Sequence, residues 1–202
     1  MKQVRDAEQR AVKNIQESLD VKRALLHDQD FLALVVDVGH RMADAVRKGN
    51  RIFYFGNGGS AADAQHLGAE LTGRYLRDRP GLPGIALTVN TSAITAIAND
   101  YSYEMVFARQ LEALSRTGDV AVGITTSGNS ANVLSAMKVA RQRGLLTIGM
   151  TGQSGGKLKD AVDFCICIPS DQTPRIQESH ILTGHILCEI IEEDLFNEGS
   201  LS

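Results

Sequence analysis

The stretch Phe53-Tyr54-Phe55-Gly56-Asn57-Gly58-Gly59-Ser60-Ala61-Ala62-Asp63, continuing through Ala64-Gln65-His66-Leu67-Gly68-Ala69-Glu70, decides the fold. The apolar run Ile52 to Phe55 reads as a buried strand, the Gly/Asn/Ser cluster as a tight turn, and the residues after Ser60 as a helix. Glycines at 56, 58 and 59 let the backbone approach an anion, and a helix start presents unpaired N–H groups with partial positive charge. Asn57, Gly58, Gly59 and Ser60 are therefore candidate anion contacts. His66 and Glu70, four residues apart, project from one helix face.

The chain outward from this stretch has 202 residues and a net charge of −3. The length suits one α/β domain over residues 1–202, with a helical extension over 1–49 and a core over 50–198. The charge offers no basic field for nucleic acid. No apolar run is long enough to span a bilayer and the N-terminus is polar, so a cytoplasmic protein without membrane association is expected. Cys165, Cys167 and Cys188 read as buried, reduced thiols, the first two on one side of a strand, because no second Cys pair or nearby His completes a zinc site.

Helical spacing of Val4, Ala7, Ala11, Ile15 and Leu19 predicts a first helix. A second is expected over about 30–48, N-capped by Asp28 or Asp30, with a broad apolar face including Leu34, Val35, Val38, Met42, Ala45 and Val46. This is more apolar helix than one sheet face needs, so part of it is expected to pack against other subunits. Beyond the first strand the pattern alternates. Strands are expected over 84–89, 120–125, 145–150 and 164–168, and helices over 92–98, 103–115, 130–143, 157–161 and 174–195. Nearly continuous apolar strands between helices predict a doubly wound parallel sheet of about five strands, covered on both faces.

In such a sheet ligands bind beyond the carboxyl ends of the strands. Two further post-strand turns there carry hydroxyls: Asn90-Thr91-Ser92, and Thr125-Thr126-Ser127-Gly128-Asn129-Ser130. Thr125, Thr126, Ser127 and Ser130 can hold a phosphate with neutral donors and a helix terminus, although Ser and Thr also occupy such positions simply as helix caps. A dinucleotide site is disfavoured. Gly56 to Ala61 fits G-x-G-x-x-G/A, but the next strand ends Thr88-Val89-Asn90, with no carboxylate for a ribose, and no P-loop motif occurs.

The last helix carries Gln177, His180 and His185 among apolar residues. At ~100° per residue Gln177 and His185 lie ~80° apart but ~12 Å along the axis, while His180 and His185 diverge by ~140°. One metal can take only one of these histidines, and spacing leaves the choice open. The other is expected to be a capped or surface side chain.

The segments Phe55–Tyr75, Ile97–Asp100, Ile124–Val133, Leu146–Gly156 and Pro174–His185 together resemble the phosphoheptose isomerases of the sugar-isomerase (SIS) fold, in collinear order over nearly the whole chain. The resemblance implies a zinc-containing homotetramer that interconverts sedoheptulose 7-phosphate and a glycero-manno-heptose 7-phosphate. It further implies Zn2+ ligands His66, Glu70, Gln177 and His185, and substrate contacts Asn57, Gly58, Gly59, Glu70, Asn99, Asp100, Thr125, Thr126, Ser127, Ser130 and Gln177. Relatives often carry Ser where this chain has Thr125, a change that keeps the hydroxyl. A related replication-initiation binding protein shares the fold but looks to lack counterparts of Glu70 and His185, so their presence favours the enzyme over a non-catalytic module. Moving a carbonyl from C2 to C1 needs a base for a carbon-bound proton and an acid for the oxygens, roles that fall to Glu70 and His185.

Overall fold

A computed structural model describes residues 2–196, with side chains from residue 4 onward; the last two residues of the expected core, 197 and 198, lie outside the described residues. Five parallel strands, β1 (Ile52–Gly56), β2 (Gly84–Ala86), β3 (Val120–Ile124), β4 (Leu146–Gly152) and β5 (Phe164–Ile168), form one sheet in the order β2-β1-β3-β4-β5. β1 and β3 are buried at every position, as both-face coverage requires. The strand order reverses between β1 and β3, where the crevice of such a sheet opens.

Helices α1 (Lys2–His27), α2 (Gln29–Arg47), α3 (Gly59–Thr72) and α7 (Thr173–Phe196) belong to one side, and α4 (Thr91–Asp100), α5 (Ala108–Leu114) and α6 (Ala131–Gln142) to the other. Asp28 N-caps α2 by accepting from the Phe31 amide at 2.9 Å. The expected apolar face of α2 is buried at Val35, Val38, Met42, Ala45 and Val46, whereas Leu34 is half-buried. α1 is different: Val12, Ile15 and Leu26 are each more than 60% exposed. The first helix thus carries apolar side chains that its own chain does not cover. Among the described residues, no helix is long and apolar enough to cross a membrane.

Several expected boundaries shift for local reasons. α1 runs on to His27, well past Leu19. The expected strand 84–89 ends at Ala86, because the chain turns to present Asn90 as the N-cap of α4, accepting from the Ala93 amide at 3.0 Å. The helix expected over 103–115 divides into a 3-10 turn at Tyr103–Met105 and α5. There the buried Gln110 amide donates to both Leu87 O and Val106 O, tying the segment to the end of β2. The short helix expected over 157–161 is a 3-10 turn at Gly156–Leu158.

Cys165 and Cys167 do share one face of β5, with their sulfurs 3.7 Å apart, and all three cysteines are free. Their expected full burial is corrected, however. β5 is an edge strand, so both thiols are only half-buried, and Cys188 alone is buried.

Candidate active site

Two features meet at the carboxyl end of the sheet. The first is a cleft of about 120 Å3 lined by Asn57 and Ser60 after β1, Ile124, Thr125, Thr126, Ser127 and Ser130 at and after β3, and Gln177 of α7. Ser60 and Thr125 are buried, and Thr125 Oγ1 lies 2.8 Å from Ser130 Oγ. The hydroxyl of Ser130 is turned toward Thr125 and does not cap α6; Gly58, at the N-cap of α3, has no side chain to do so. Both helix starts therefore face the cleft without a side-chain cap, the arrangement suited to an anion. The Asn90-Thr91-Ser92 turn is the opposite case. Its Asn90 is an ordinary cap, and the turn does not line the cleft.

Asn57 is held by partners that the sequence did not single out. Its amide and that of Asn132 exchange two hydrogen bonds of 2.8 Å, and the Tyr103 hydroxyl donates to Asn57 Oδ1 at 3.0 Å. Asn132 lies two residues beyond the hydroxyl turn, so its place in α6 was readable, but its partner 75 residues away was not. Asn99 and Asp100 are exposed at the end of α4, bonded to each other, and are not part of the cleft lining.

The second feature is a cluster of donors. His66 Nε2 lies 3.0 Å from Glu70 Oε1 and 2.9 Å from His185 Nε2, and one donor atom from each of the three falls within 4.8 Å of the others. An ion bound tetrahedrally at about 2.0–2.1 Å separates its donors by roughly 3.3 Å, so two imidazoles and a carboxylate at these distances fit zinc with small adjustments. The Tyr75 ring stacks on His185, centroids 5.5 Å apart at 24°.

Parallel packing of α3 against α7 brings the two features together. Gln177 packs on Gly59, where a Cβ would stand 2.4 Å from the Gln177 amide nitrogen. Eight residues further along α3 and seven along α7, Gly184 packs on Leu67 just as closely, at 2.5 Å. Neither approach leaves room for a Cβ unless the partner side chain moves, and in this register His185 stands against His66. Gln177 consequently sits at the cleft end of α7 and His185 at the cluster end.

His180 does not join them. Contrary to the expectation of a capped or surface residue, it is fully buried on the face of α7 turned to β4, its Nε2 3.2 Å from Thr151 O, with no hydrogen-bond partner at Nδ1 among the described residues. Burial pushes its pKa down to about 4, against the opposing pull of the Thr151 carbonyl. Because the folded state holds His180 neutral while the unfolded state titrates near 6.5, stability should fall as pH drops from about 6.5 toward 4. The loss should reach roughly 3 kcal/mol and then level off. Denaturant midpoints across that window should show a shallower slope in His180→Gln than in the parent. Equal slopes would dismiss the effect.

Asp63, one turn before His66, is a second group absent from the sequence reading. Burial raises its carboxyl to about 6, partly countered by His66, and its Oδ2 has no hydrogen-bond partner among the described residues.

Residues 14–152 match the SIS domain family. The chain is 48% identical over 189 residues to the phosphoheptose isomerase of Aneurinibacillus thermoaerophilus, covering 94% of this chain and 96% of that one. It is 52% identical over 187 residues to that of Roseiflexus sp., covering 93% and 94%. This chain belongs to the phosphoheptose isomerase family. The solved phosphoheptose isomerase of Neisseria gonorrhoeae superposes with a TM-score of 0.87 at 41% identity, over 93% of this chain and 99% of that one. That of Francisella tularensis gives the same TM-score at 34% identity, over 93% and 98%.

One more feature of this phosphoheptose isomerase site lay beyond sequence reasoning. Glu192, near the end of α7, is 1% exposed and accepts from the backbone amides of Tyr75, Leu76 and Arg77 and from Arg79 Nε at 2.9 Å. Arg79, equally buried, also donates to Glu70 O at 2.8 Å. Burial works against the Glu192 charge, but the three amides and the guanidinium outweigh it and hold the carboxyl below its ordinary pKa. The loop after α3, which carries Tyr75 over His185, is thus tied to the helix that carries His185.

Proposed function

We propose that this chain is an aldose–ketose isomerase that converts sedoheptulose 7-phosphate to D-glycero-D-manno-heptose 7-phosphate through a cis-enediol, opening a route to nucleotide-activated heptose. The observation that carries this reading is the convergence of His66, Glu70 and His185 beside a hydroxyl-lined cleft with two uncapped helix starts. The names of the relatives, at about half identity over nearly the whole chain, agree with it.

In this reading Thr125, Thr126, Ser127, Ser130 and Ser60 bind the phosphate, with the amides after Gly58 and Ser130 supplying partial positive charge. Asn57, fixed by Asn132 and Tyr103, orients the sugar chain together with Gly58 and Gly59, and Asn99 and Asp100 contact it from the rim. Glu70 takes the carbon-bound proton and His185 moves protons between the C1 and C2 oxygens. One Zn2+ per subunit, held by His66, Glu70, Gln177 and His185, would polarise the carbonyl and stabilise negative charge on oxygen. Residues 1–202 act as one unit in a homotetramer, for which the exposed apolar residues of α1 offer the contact surface. Three free thiols suit the reducing cytoplasm.

Purified protein should contain zinc and should produce aldose from sedoheptulose 7-phosphate. Chelation should abolish turnover and one equivalent of zinc should restore it. Metal-free protein with no aldose product would instead favour a non-catalytic SIS-type binding module. Gly59→Ala tests the cleft separately. The added Cβ displaces the Gln177 amide, so kcat/KM should fall at least tenfold while the thermal midpoint changes little; parent-like kinetics would remove Gln177 from the site.

A further inference from the structure

The sheet edge far from the active site carries a second pair of potential ligands. Cys165 and Cys167 alternate along β5 and project from the face opposite the buried Ile166 and Ile168. Their sulfurs stand 3.7 Å apart. β4 pairs with only one side of β5, which leaves both thiols half-exposed at the edge. They do not belong to the only three-donor group of metal-binding type among the described residues, that of His66, Glu70 and His185.

The spacing discriminates between two fates. A disulfide requires sulfurs about 2.05 Å apart, and alternate residues of an extended strand hold their Cα atoms near the outer limit of disulfide geometry, at about 6.7 Å. Closing the pair would bend the strand. Two sulfurs bound at about 2.3 Å to a single pyramidal or tetrahedral centre stand roughly 3.3–3.8 Å apart, which is the separation already present. With two donors and no third metal-binding side chain grouped with them among the described residues, a closed zinc site is not completed. A centre that brings its own third substituent can be accommodated.

We propose that Cys165 and Cys167 together form a chelating site for one trivalent arsenic centre carrying a single organic or hydroxyl substituent. With an arylarsine oxide the reaction balances as two S–H groups plus one As=O giving two As–S bonds and one water, with arsenic trivalent throughout. Cys167 begins the attack as thiolate. The hydrogen bond it shares with Cys165 brings its pKa down to about 7, a pull opposed by burial and assisted by Lys159, whereas the pKa of Cys165 is raised. The second proton leaves with the arsenic-bound oxygen.

The test uses the reduced full chain and phenylarsine oxide in the presence of excess glutathione, read by intact mass. One adduct per chain is expected, with a gain of one phenylarsenic unit and loss of two hydrogens, resistant to glutathione and released by a vicinal dithiol such as dimercaptopropanol. Cys165→Ser and Cys167→Ser should each abolish the glutathione-resistant adduct while keeping the parent thermal midpoint, and Cys188→Ser should retain it. Survival of the adduct in either of the first two variants, its loss in Cys188→Ser, or its absence from the parent protein would overturn the proposal. Should either edge variant unfold, mapping the adduct in the parent to the peptide containing both Cys165 and Cys167 supports the site, and mapping elsewhere overturns it.

Discussion

Glu70→Gln should lower kcat for sedoheptulose 7-phosphate by about 10²–10⁴-fold, the range that a positioned base contributes. The substitution preserves shape but removes the charge, and with it the capacity to carry a proton or to bind metal as a carboxylate. Glu70 is partly buried, with its Oε1 3.0 Å from His66 Nε2, and its backbone carbonyl is held by Arg79, so the helix geometry should survive. KM should change little, because the phosphate site proposed above is the hydroxyl cleft and not the carboxylate. A zinc measurement on the same variant separates two roles. If metal content persists while turnover collapses, Glu70 acts chiefly as the base; if both vanish, its main task is to hold the metal. Parent-like turnover would dismiss it from the chemistry altogether. A carboxylate that both binds metal and takes a proton must loosen its hold during the cycle, and the exposed His66 beside it leaves room for that movement.

The parallel sheet was legible because apolar runs, turn glycines and helical periods are local signals. Ile52 to Phe55 followed by Gly56-Asn57-Gly58-Gly59 can hardly be read otherwise. Ends of elements were less legible where a side chain decides them: Asn90 ends β2 early by capping α4, and Gln110 ties the segment that expected helix 103–115 would have run through. The cleft hydroxyls could be named, but not whether they cap helices or face a ligand. That depends on Ser130 Oγ turning to Thr125 Oγ1, a rotamer choice.

Choosing between His180 and His185 is a matter of register between two helices more than a hundred residues apart in sequence. Helical angles placed the candidates on α7 but could not say which row faces α3; Gly59 and Gly184 set that by close approach. Resemblance supplied His185, which the structure places beside His66 and Glu70. Asn132, Tyr103 and Glu192 stayed hidden for the same reason, since each is defined by a distant partner and not by its own neighbourhood.

Glu192→Ala should be among the most damaging single changes outside the cluster, even though Glu192 is not part of it. It removes the acceptor for three backbone amides and leaves the guanidinium of Arg79 buried without its carboxylate; both side chains are 1% exposed. Breaking one half of a buried pair costs about 3–5 kcal/mol, which for a chain of this size lowers the thermal midpoint by about 10 °C. Glu192→Gln, which keeps one acceptor oxygen, should lose less. The catalytic effect follows from position, since the loop that Glu192 fixes carries the Tyr75 ring stacked on His185. In protein assayed well below its new midpoint, kcat should fall about tenfold with KM nearly unchanged, and Tyr75→Ala should reproduce that fall without the large loss of stability. The pH dependence has a defined sign. A carboxyl with its folded pKa below the ordinary 4.5 contributes fully above that value, and the contribution is lost as pH falls through the folded pKa. Parent and Glu192→Ala midpoints should therefore differ most at neutral pH and converge in acid. A constant difference across the range would mean that packing, and not the charge, ties this loop to α7.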